Sequence, residues 1–531
     1  MWRLSAIVPV LFWALVGNCV VGLGLWLLDF RSEMIPPLWG HVSLVMATLG
    51  GGAFGYFAWR THAIAPPPAT VHGSAAFGES RHARKILDNP DGLIVGRAPE
   101  HWLMRYDGPA HLLTLAPTRS GKGVGVIIPN LLTIHRSVIC IDPKGENARI
   151  AARARAGFGP VHVLDPFGAS GEPTSAFNPL AHLDPTSLDL AEDASLIADA
   201  LVYDPPGQVG EAHWNEEAKA LIAGVILHVV TTAPMEGRTL GSVRDLLTTA
   251  PDRFEALLRD MQRNGAAGGL VARAANRHLG KSDREATGVL SSAQRHTHFL
   301  DSPRMVAALA HSDFAFTDLR DQVVSVFLVL PPDRLASHSR WLRLLVTQAL
   351  SDLARSSGSH SEAEARVLFL LDEFAVLGRL EPIERAFGLM AGYGVQLWAI
   401  LQDLHQLKAA YGERAGTFMS NAGVIQVFNV ADIDTASWVS RTLGVSTEAF
   451  YTTGTTTSSG GSWSAQGGSS QSSSGASTTL NYAKRDLLTP DEVMRLPDHV
   501  MILFRPGSSP LLASKVRYHV EPEFQGLFDP R

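Results

Sequence analysis

Cysteine is nearly absent from this chain of 531 residues. Cys19 lies in an apolar run long enough to be a membrane span and Cys140 in an apolar strand-like run, so a disulfide framework is excluded and a reducing compartment is expected. There is no C-x-x-C pair, and the 20 histidines show no H-E-x-x-H spacing, which removes the common zinc sites. His296 and His298 stand two apart in a helical pattern and therefore point to different faces. No nucleophile elbow follows a strand-like run, so a hydrolase triad has no support. An excess of basic charge is also missing, with 45 Lys+Arg against 51 Asp+Glu and a net charge of −6. No global positive field announces nucleic acid, and any such contact has to be local, for example inside a pore.

Long apolar runs, by contrast, are present at the start of the chain. Residues 5–28 and 38–59 are each long enough to cross a bilayer as a helix, and Trp2, Trp26, Trp39 and Trp59 fall near the expected interfaces. The apolar core of the first run is too long for a cleavable signal peptide, and no small-residue cleavage site follows it. Arg3, Arg60, Arg81, Arg84 and Lys85 flank the pair, whereas the connecting loop holds Arg31 between Asp29 and Glu33; both termini are expected to be cytoplasmic. Residues 1–62 thus read as a two-span anchor, and Pro66, Pro67 and Pro68 as a semi-rigid spacer leaving it.

The rest of the chain is organised around residues 111–133, HLLTLAPTRSGKGVGVIIPNLLT. The stretch reads as an apolar strand, a tight loop with Arg119, Ser120, Gly121 and Lys122, and a helix opening at Gly123. Glycines let a backbone approach phosphate oxygens, the first free amides of a helix point at an anion, and one lysine adds a point charge. The match to G-x-x-x-x-G-K-[ST] is imperfect: Ala116 replaces the first Gly, and Gly123 replaces the Mg²⁺-binding hydroxyl. Two other readings stand beside it, a Gly-rich strand-to-helix turn with a solvated lysine and a dinucleotide-binding turn served by Asp142. The second requires a third glycine where Val126 stands, and leaves Lys122 without a role.

A second stretch bears on the choice. VLFLLDEF, from Val367, is an apolar run closed by Asp372 and Glu373. Such runs form central parallel strands buried on both faces, and acids at their C-terminal ends lie in the crevice where α/β sheets bind ligands. On its own the acidic pair could equally cap a helix. Paired with the phosphate loop, it points to a nucleoside triphosphate with Mg²⁺, Asp372 serving the metal and Glu373 the attacking water.

Around these motifs the pattern is α/β over 63–190 and 313–531, interrupted by helical periodicity over 191–312 that reads as an all-α insertion domain. Residues 451–480 consist largely of Ser, Thr and Gly and carry no charge, and a flexible loop is expected there. Residues 500–504 and 515–519 read as closing strands.

With the segments placed, the chain resembles the coupling ATPases of type IV secretion systems, the TraG-type conjugal transfer family. The resemblance rests on the apolar pair and, in order, on APTRSGKGVGVIIPNLL from Ala116, CIDPKGENARIAARAR from Cys140, NPL at Asn178, HWNEEAKALIAGVI from His213, LLDEFAVLG from Leu370, LQDLHQLKAAYG from Leu401 and LTPDEVMRLPDHVMILFRPG from Leu488. It implies a RecA-like P-loop NTPase fold, ATP and Mg²⁺, and a ring, expected to be a homo-hexamer, anchored in the bacterial inner membrane with its ATPase domain in the cytoplasm. Implied partners are secretion channel components, relaxase-bound single-stranded DNA and effector proteins. It places Thr118, Arg119, Ser120, Gly121, Lys122, Gly123 and Val124 around the nucleotide, Lys122 on the β and γ phosphates, Asp372 on Mg²⁺, Glu373 on the water and Gln402 as γ-phosphate sensor. Arg385 and Arg441 are candidates for a finger reaching a neighbouring subunit. The alternatives are a docking receptor in which nucleotide serves assembly only, and a chromosome-segregating DNA pump.

Overall fold

The computed structural model describes residues 70–203, 212–356, 366–464 and 467–530. The two apolar runs at 5–28 and 38–59 lie outside the described residues, among which no helix is long and apolar enough to cross a membrane. The described residues divide into two units, a larger one within 75–444 and 486–530, and a smaller one of 70–74 and residues within 445–485.

The larger unit is built on one sheet. Its strands are β1 (Leu93–Arg97), β2 (Leu103–Tyr106), β3 (His111–Leu115), β4 (Val138–Asp142), β5 (Val161–Leu164), β6 (Ser325–Val329), β7 (Val367–Leu371), β8 (Val395–Leu401) and β9 (Ala422–Val427). After β10 (Val445–Ser464) and β11 (Gly467–Asp486) of the smaller unit come β12 (Val500–Phe504) and β13 (Leu511–Ser514). The order across the 11-stranded sheet is β2-β1-β13-β12-β9-β3-β8-β7-β4-β6-β5. Pairing is parallel from β9 through β3, β8, β7, β4 and β6 to β5, and antiparallel from β9 outwards through β12, β13, β1 and β2.

Every residue of β3, β4, β6, β7, β8 and β9 is buried. Their side chains alternate between two cores: Leu113, Leu115, Phe369 and Leu371 face one, and Leu112, Leu368, Leu370 and Trp398 the other. That two-sided burial is what the uninterrupted apolar run of β7 requires. Polar groups inside the sheet are paired. Thr114 Oγ1 donates to Gln426 Oε1 at 2.6 Å and accepts from Trp398 Nε1 at 2.9 Å, while Gln426 Nε2 donates to the Val95 carbonyl at 2.7 Å. A slip in register would strand these buried donors, so the network specifies the alignment of β3 with its neighbours.

Between β5 and β6 the chain is helical, from Leu190–Leu201 to Asp318–Asp321. The two longest helices of this part are Ala212–Thr232 and Asp283–Thr297, the second capped by Ser282, whose side chain accepts from the Glu285 amide. This helical part shares an apolar core with one face of the sheet, Ile197, Ile222 and Val225 belonging to the same cluster as Phe369 and Leu371.

Two expectations are corrected. The last strand lies at Leu511–Ser514, not at 515–519, because the antiparallel partner β12 has its register with Leu511 to Ser514 and the chain then turns away. Of the uncharged segment 451–480, expected to be a flexible loop, the described residues 451–464 and 467–480 belong instead to β10 and β11, which pair as a two-stranded sheet. Ser446 Oγ donates to the Arg485 carbonyl at 3.2 Å and Asn481 Nδ2 to Thr452 Oγ1 at 2.9 Å, so the strands are antiparallel. Pairing between two halves of one segment satisfies backbone groups that an apolar core would otherwise have to cover, and β-branched threonine favours extended backbone.

Helix packing in the insertion supplies a test in which two effects oppose. Gly224 lies where Ala212–Thr232 crosses Ala266–Leu279, and a Cβ there would collide with the Cβ of Ala274. Helix propensity alone predicts that Gly224→Ala stabilises by about 1 kcal/mol. Overpacking predicts a net loss of roughly 1–3 kcal/mol, and the expected outcome of a thermal melt is a lowered Tm.

Candidate active site

The phosphate loop is held at both ends. At its start the Ala116 amide donates to the Leu401 carbonyl at 2.9 Å, which extends the β3–β8 ladder one residue into the loop. Ala116 is fully buried and is not among the residues with positive φ, so this position has no conformational need for the glycine of the common motif. The sharp turn falls later, at Arg119 with φ 63° and Gly121 with φ 92°. The Gly125 amide donates to the Gly121 carbonyl at 2.8 Å, closing the loop onto the helix. That helix opens with a wide turn over Gly123–Ile127, in which the Ile128 amide reaches back to the Gly123 carbonyl, before continuing as Ile128–Thr133 with Pro129 in its first turn. A proline ring would clash with the carbonyl four residues earlier in a regular helix, and the wide turn removes that carbonyl from its path.

The acids arrive by register. Ile141 of β4 pairs with Leu371 of β7, so Asp142 and Asp372 end neighbouring parallel strands side by side. Leu371 pairs with Ala399 of β8, and Leu115 with Leu401. The loop after β3, the acid pair after β7 and Gln402 after β8 therefore emerge along one edge. A cavity of about 370 Å³ lies there, lined on one side by Thr118, Arg119, Gly121, Lys122, Gly123 and Val124, and on the other by Asp142, Asp372 and Glu373. Its size is within the range of small-molecule sites.

Contacts inside the site are specific. Lys122 Nζ is 3.8 Å from Glu373 Oε2, and Gln402 Nε2 donates to Glu373 Oε1 at 2.9 Å. Glu373 has φ 56° and ψ 47°, a left-handed conformation that a non-glycine residue adopts only when its surroundings impose it. Arg343, buried in the helix Pro332–Arg355, donates to the carbonyls of Leu377 and Arg379 and holds the turn after the acid pair from behind. Burial pushes the Asp372 carboxyl up from 3.8 to about 6, with Lys122 opposing the rise and Glu373 adding to it. Burial likewise raises Asp142 to about 6; the Ala148 amide, donating at 2.9 Å, holds it back, and the charge of Asp372 pushes it further.

These oxygens fit Mg²⁺. Two carboxylates that burial makes costly to ionise, beside a phosphate loop, are hard donors with an unmet demand for positive charge. Asp372 lines the cavity and would hold the ion, and Asp142 lines the same cavity. Nothing lies within 4 Å of where a Gly123 Cβ would stand, so the missing hydroxyl is a choice of sequence and not of space.

The predicted residues divide accordingly. Lys122, Asp372, Glu373 and Gln402 are brought together, and the loop residues line the cavity with the exception of Ser120. Ser120 is buried and its hydroxyl donates to the Pro117 carbonyl at 2.6 Å, a bond that shapes the loop. Arg385 and Arg441 are not among the cavity-lining residues; Arg385 is 3.9 Å from Glu381, and Arg441 Nε donates to the Ser437 carbonyl at 3.2 Å, both on their own helices. Sequence reasoning weighed Asp142 only as a ribose ligand and gave Lys144 no role, although both line the cavity. The signal was available: DPKGE follows an apolar strand in the same way as DEF follows β7.

With this geometry in hand, comparison with known proteins is decisive on ancestry. A family model described as Type IV secretory system Conjugative DNA transfer matches residues 78–528. "Conjugal transfer protein TraG" of Escherichia coli is 31% identical over 469 residues, covering 80% of this chain and 71% of that protein. "Protein VirD4" of Agrobacterium fabrum is 32% identical over 473 residues, covering 86% of this chain and 67% of that one. Among solved structures, plasmid coupling protein TrwB in complex with ADP and Mg²⁺ aligns with a TM-score of 0.59 at 15% identity, covering 83% of this chain and 94% of TrwB. The TrwB complex with the ATP analogue ADPNP aligns at 0.58, with 15% identity and coverage of 85% and 96%. The chain belongs to the type IV secretory system family of conjugative DNA transfer proteins.

Proposed function

We propose that this chain is a membrane-anchored coupling ATPase that delivers substrates to a type IV secretion channel, with ATP hydrolysis driving or licensing transfer. The observation that carries the reading is the single cavity uniting the glycine–lysine loop with the acid pair, which lie some 250 residues apart in sequence. The TrwB complexes with ADP and Mg²⁺ and with ADPNP support ATP and Mg²⁺ as its ligands.

The residues then take defined parts. Amides at Gly121, Lys122 and Gly123 and the Lys122 ammonium bind and orient the phosphate chain. Asp372 would hold Mg²⁺, which when bound would supply positive charge to the phosphates. Glu373 polarises the attacking water and accepts its proton, and Gln402, hydrogen-bonded to Glu373, orients that carboxylate and reports the terminal phosphate. Arg385 and Arg441, both exposed, are kept as candidates for a finger reaching a neighbouring subunit.

We infer further a homo-hexameric ring in the inner membrane, with two spans at 5–28 and 38–59 on the length of those apolar runs, and a cytoplasmic ATPase domain. Partners are channel components and relaxase-bound single-stranded DNA, effector proteins, or both. The helices between β5 and β6 are the proposed substrate-recognition part, and hydrolysis at subunit interfaces would move elements around a central pore.

Two tests follow. Lys122→Ala and Glu373→Gln should each reduce ATP turnover by about 10²-fold or more, the second with ATP affinity retained. Undiminished transfer by Glu373→Gln in a conjugation assay would favour a docking receptor over a motor. The second test uses pH. A carboxyl raised to about 6 in the folded state binds protons more readily there than in the unfolded chain, so nucleotide-free stability falls as pH rises from about 4 to about 6 and levels off above. Asp372→Asn should raise the Tm of the nucleotide-free protein at pH 7.5, flatten that slope and remove Mg²⁺-dependent hydrolysis, as read by calorimetry and phosphate release.

A further inference from the structure

A second buried cation grips the phosphate loop from outside the cavity. Lys515 immediately follows β13, and its side chain is only 7% exposed. Its Nζ donates to the Ser120 carbonyl at 2.7 Å and to Asn429 Oδ1 at 2.8 Å, and lies 3.4 Å from Asp498 Oδ1. Asn429 Nδ2 donates to the same Asp498 oxygen at 2.7 Å, and the Phe428 ring centroid is 5.2 Å from the ammonium. The loop is thereby tied to the chain just past β9, to the turn before β12 and to the exit of β13. The next residue braces the same loop, since the Val516 carbonyl would be 2.9 Å from a Cβ at Gly125. Lys515 is not among the residues lining the cavity, whereas Gly121 is.

We propose that Lys515 is a positioning residue of the nucleotide site, which fixes the 120–121 peptide so that the Gly121 amide faces the phosphates. In a planar trans peptide the carbonyl and the following N–H point in opposite directions. A carbonyl drawn outward by an ammonium therefore turns the Gly121 N–H away from Lys515 and towards the cavity. Gly121 sits at φ 92°, where glycine moves between backbone states with little penalty, so the peptide can rotate unless something holds it. A charge-assisted bond to the Ser120 oxygen supplies that hold, and Asn429 and Asp498 fix the ammonium in turn. Asn429 itself adopts φ 53°, a conformation that asparagine tolerates better than most residues and that presents its amide to Lys515 and Asp498.

The proposal rests on the phosphate-site reading of the loop, and the experiment separates the two. Lys515→Met keeps the length and apolar body of the side chain and removes the donor. In the full chain, with folding verified by circular dichroism, the dissociation constants for ATP and ADP should both rise about tenfold or more while kcat at saturating ATP stays within about threefold, the signature of lost uniform binding. Lys515→Arg, which restores a charged donor, should recover most of that affinity. As a control for stability alone, Arg244→Met removes an ion pair with Asp301 of 2.7 Å in the helical insertion and should lower Tm without moving nucleotide affinity. Nucleotide affinity of Lys515→Met within twofold of the unmodified protein would overturn the positioning role and leave Lys515 as a staple between strands. Full turnover by Lys122→Ala would instead overturn the site reading itself.

Discussion

Asp142 and Asp372 end adjacent buried strands side by side, and this juxtaposition of two carboxyls that burial makes costly to ionise is the constraint on which the site depends. Both carboxyls are pushed up to about 6 by burial, and the charge of Asp372 raises Asp142 further. A fold that stabilised itself alone would replace one of them with an apolar or amide side chain. Their retention beside a loop rich in glycine and lysine makes sense when a cation carrying phosphate oxygens completes the charge balance. The parallel register that places Ile141 against Leu371 makes this juxtaposition unavoidable once the strands pair, and the buried Thr114–Gln426–Trp398 network keeps the β3 strand aligned with the same edge.

Around that charge pair, the structure concentrates its unfavourable conformations and surrounds them with support. Glu373 is left-handed, and Arg343 holds the turn beyond it through two carbonyls. Arg119 and Gly121 bend the loop, and the buried Ser120 hydroxyl with the Lys515 ammonium hold it on the outer side. Strain of this kind persists only where neighbours over-determine it, and here those neighbours come from distant parts of the chain. The antiparallel extension through β12, β13 and β1 therefore has a part in the site, since the segment leaving β13 is what braces the loop.

Much of this was legible in the sequence because buried parallel strands announce themselves. VLFLL, VICI and LWAIL are uninterrupted apolar runs, and each proved to lie in a strand with every residue buried. The glycine–lysine loop and the acid pair were legible as motifs, and Gln402 only through the resemblance to the family. Strand order was not legible, because periodicity carries no information on which strands are neighbours. The role of Lys515 was hidden for the same reason, since it is made by contacts to Ser120 and Asn429 that only the pairing of β12 with both β9 and β13 brings close. The stretch 451–480 misled because its composition says only that it cannot build an apolar core, which does not prevent two halves of it from pairing with each other.

A structure of the protein solved with Mg²⁺ and a non-hydrolysable ATP analogue tests the central claim most directly. The terminal phosphates should lie between the Lys122 ammonium and the Asp372–Glu373 pair, with the metal on the Asp372 carboxylate and the Glu373 oxygens facing the terminal phosphorus through a water. Nucleotide bound elsewhere, or bound on the loop with Asp372 and Glu373 out of reach of its phosphates and metal, would contradict it.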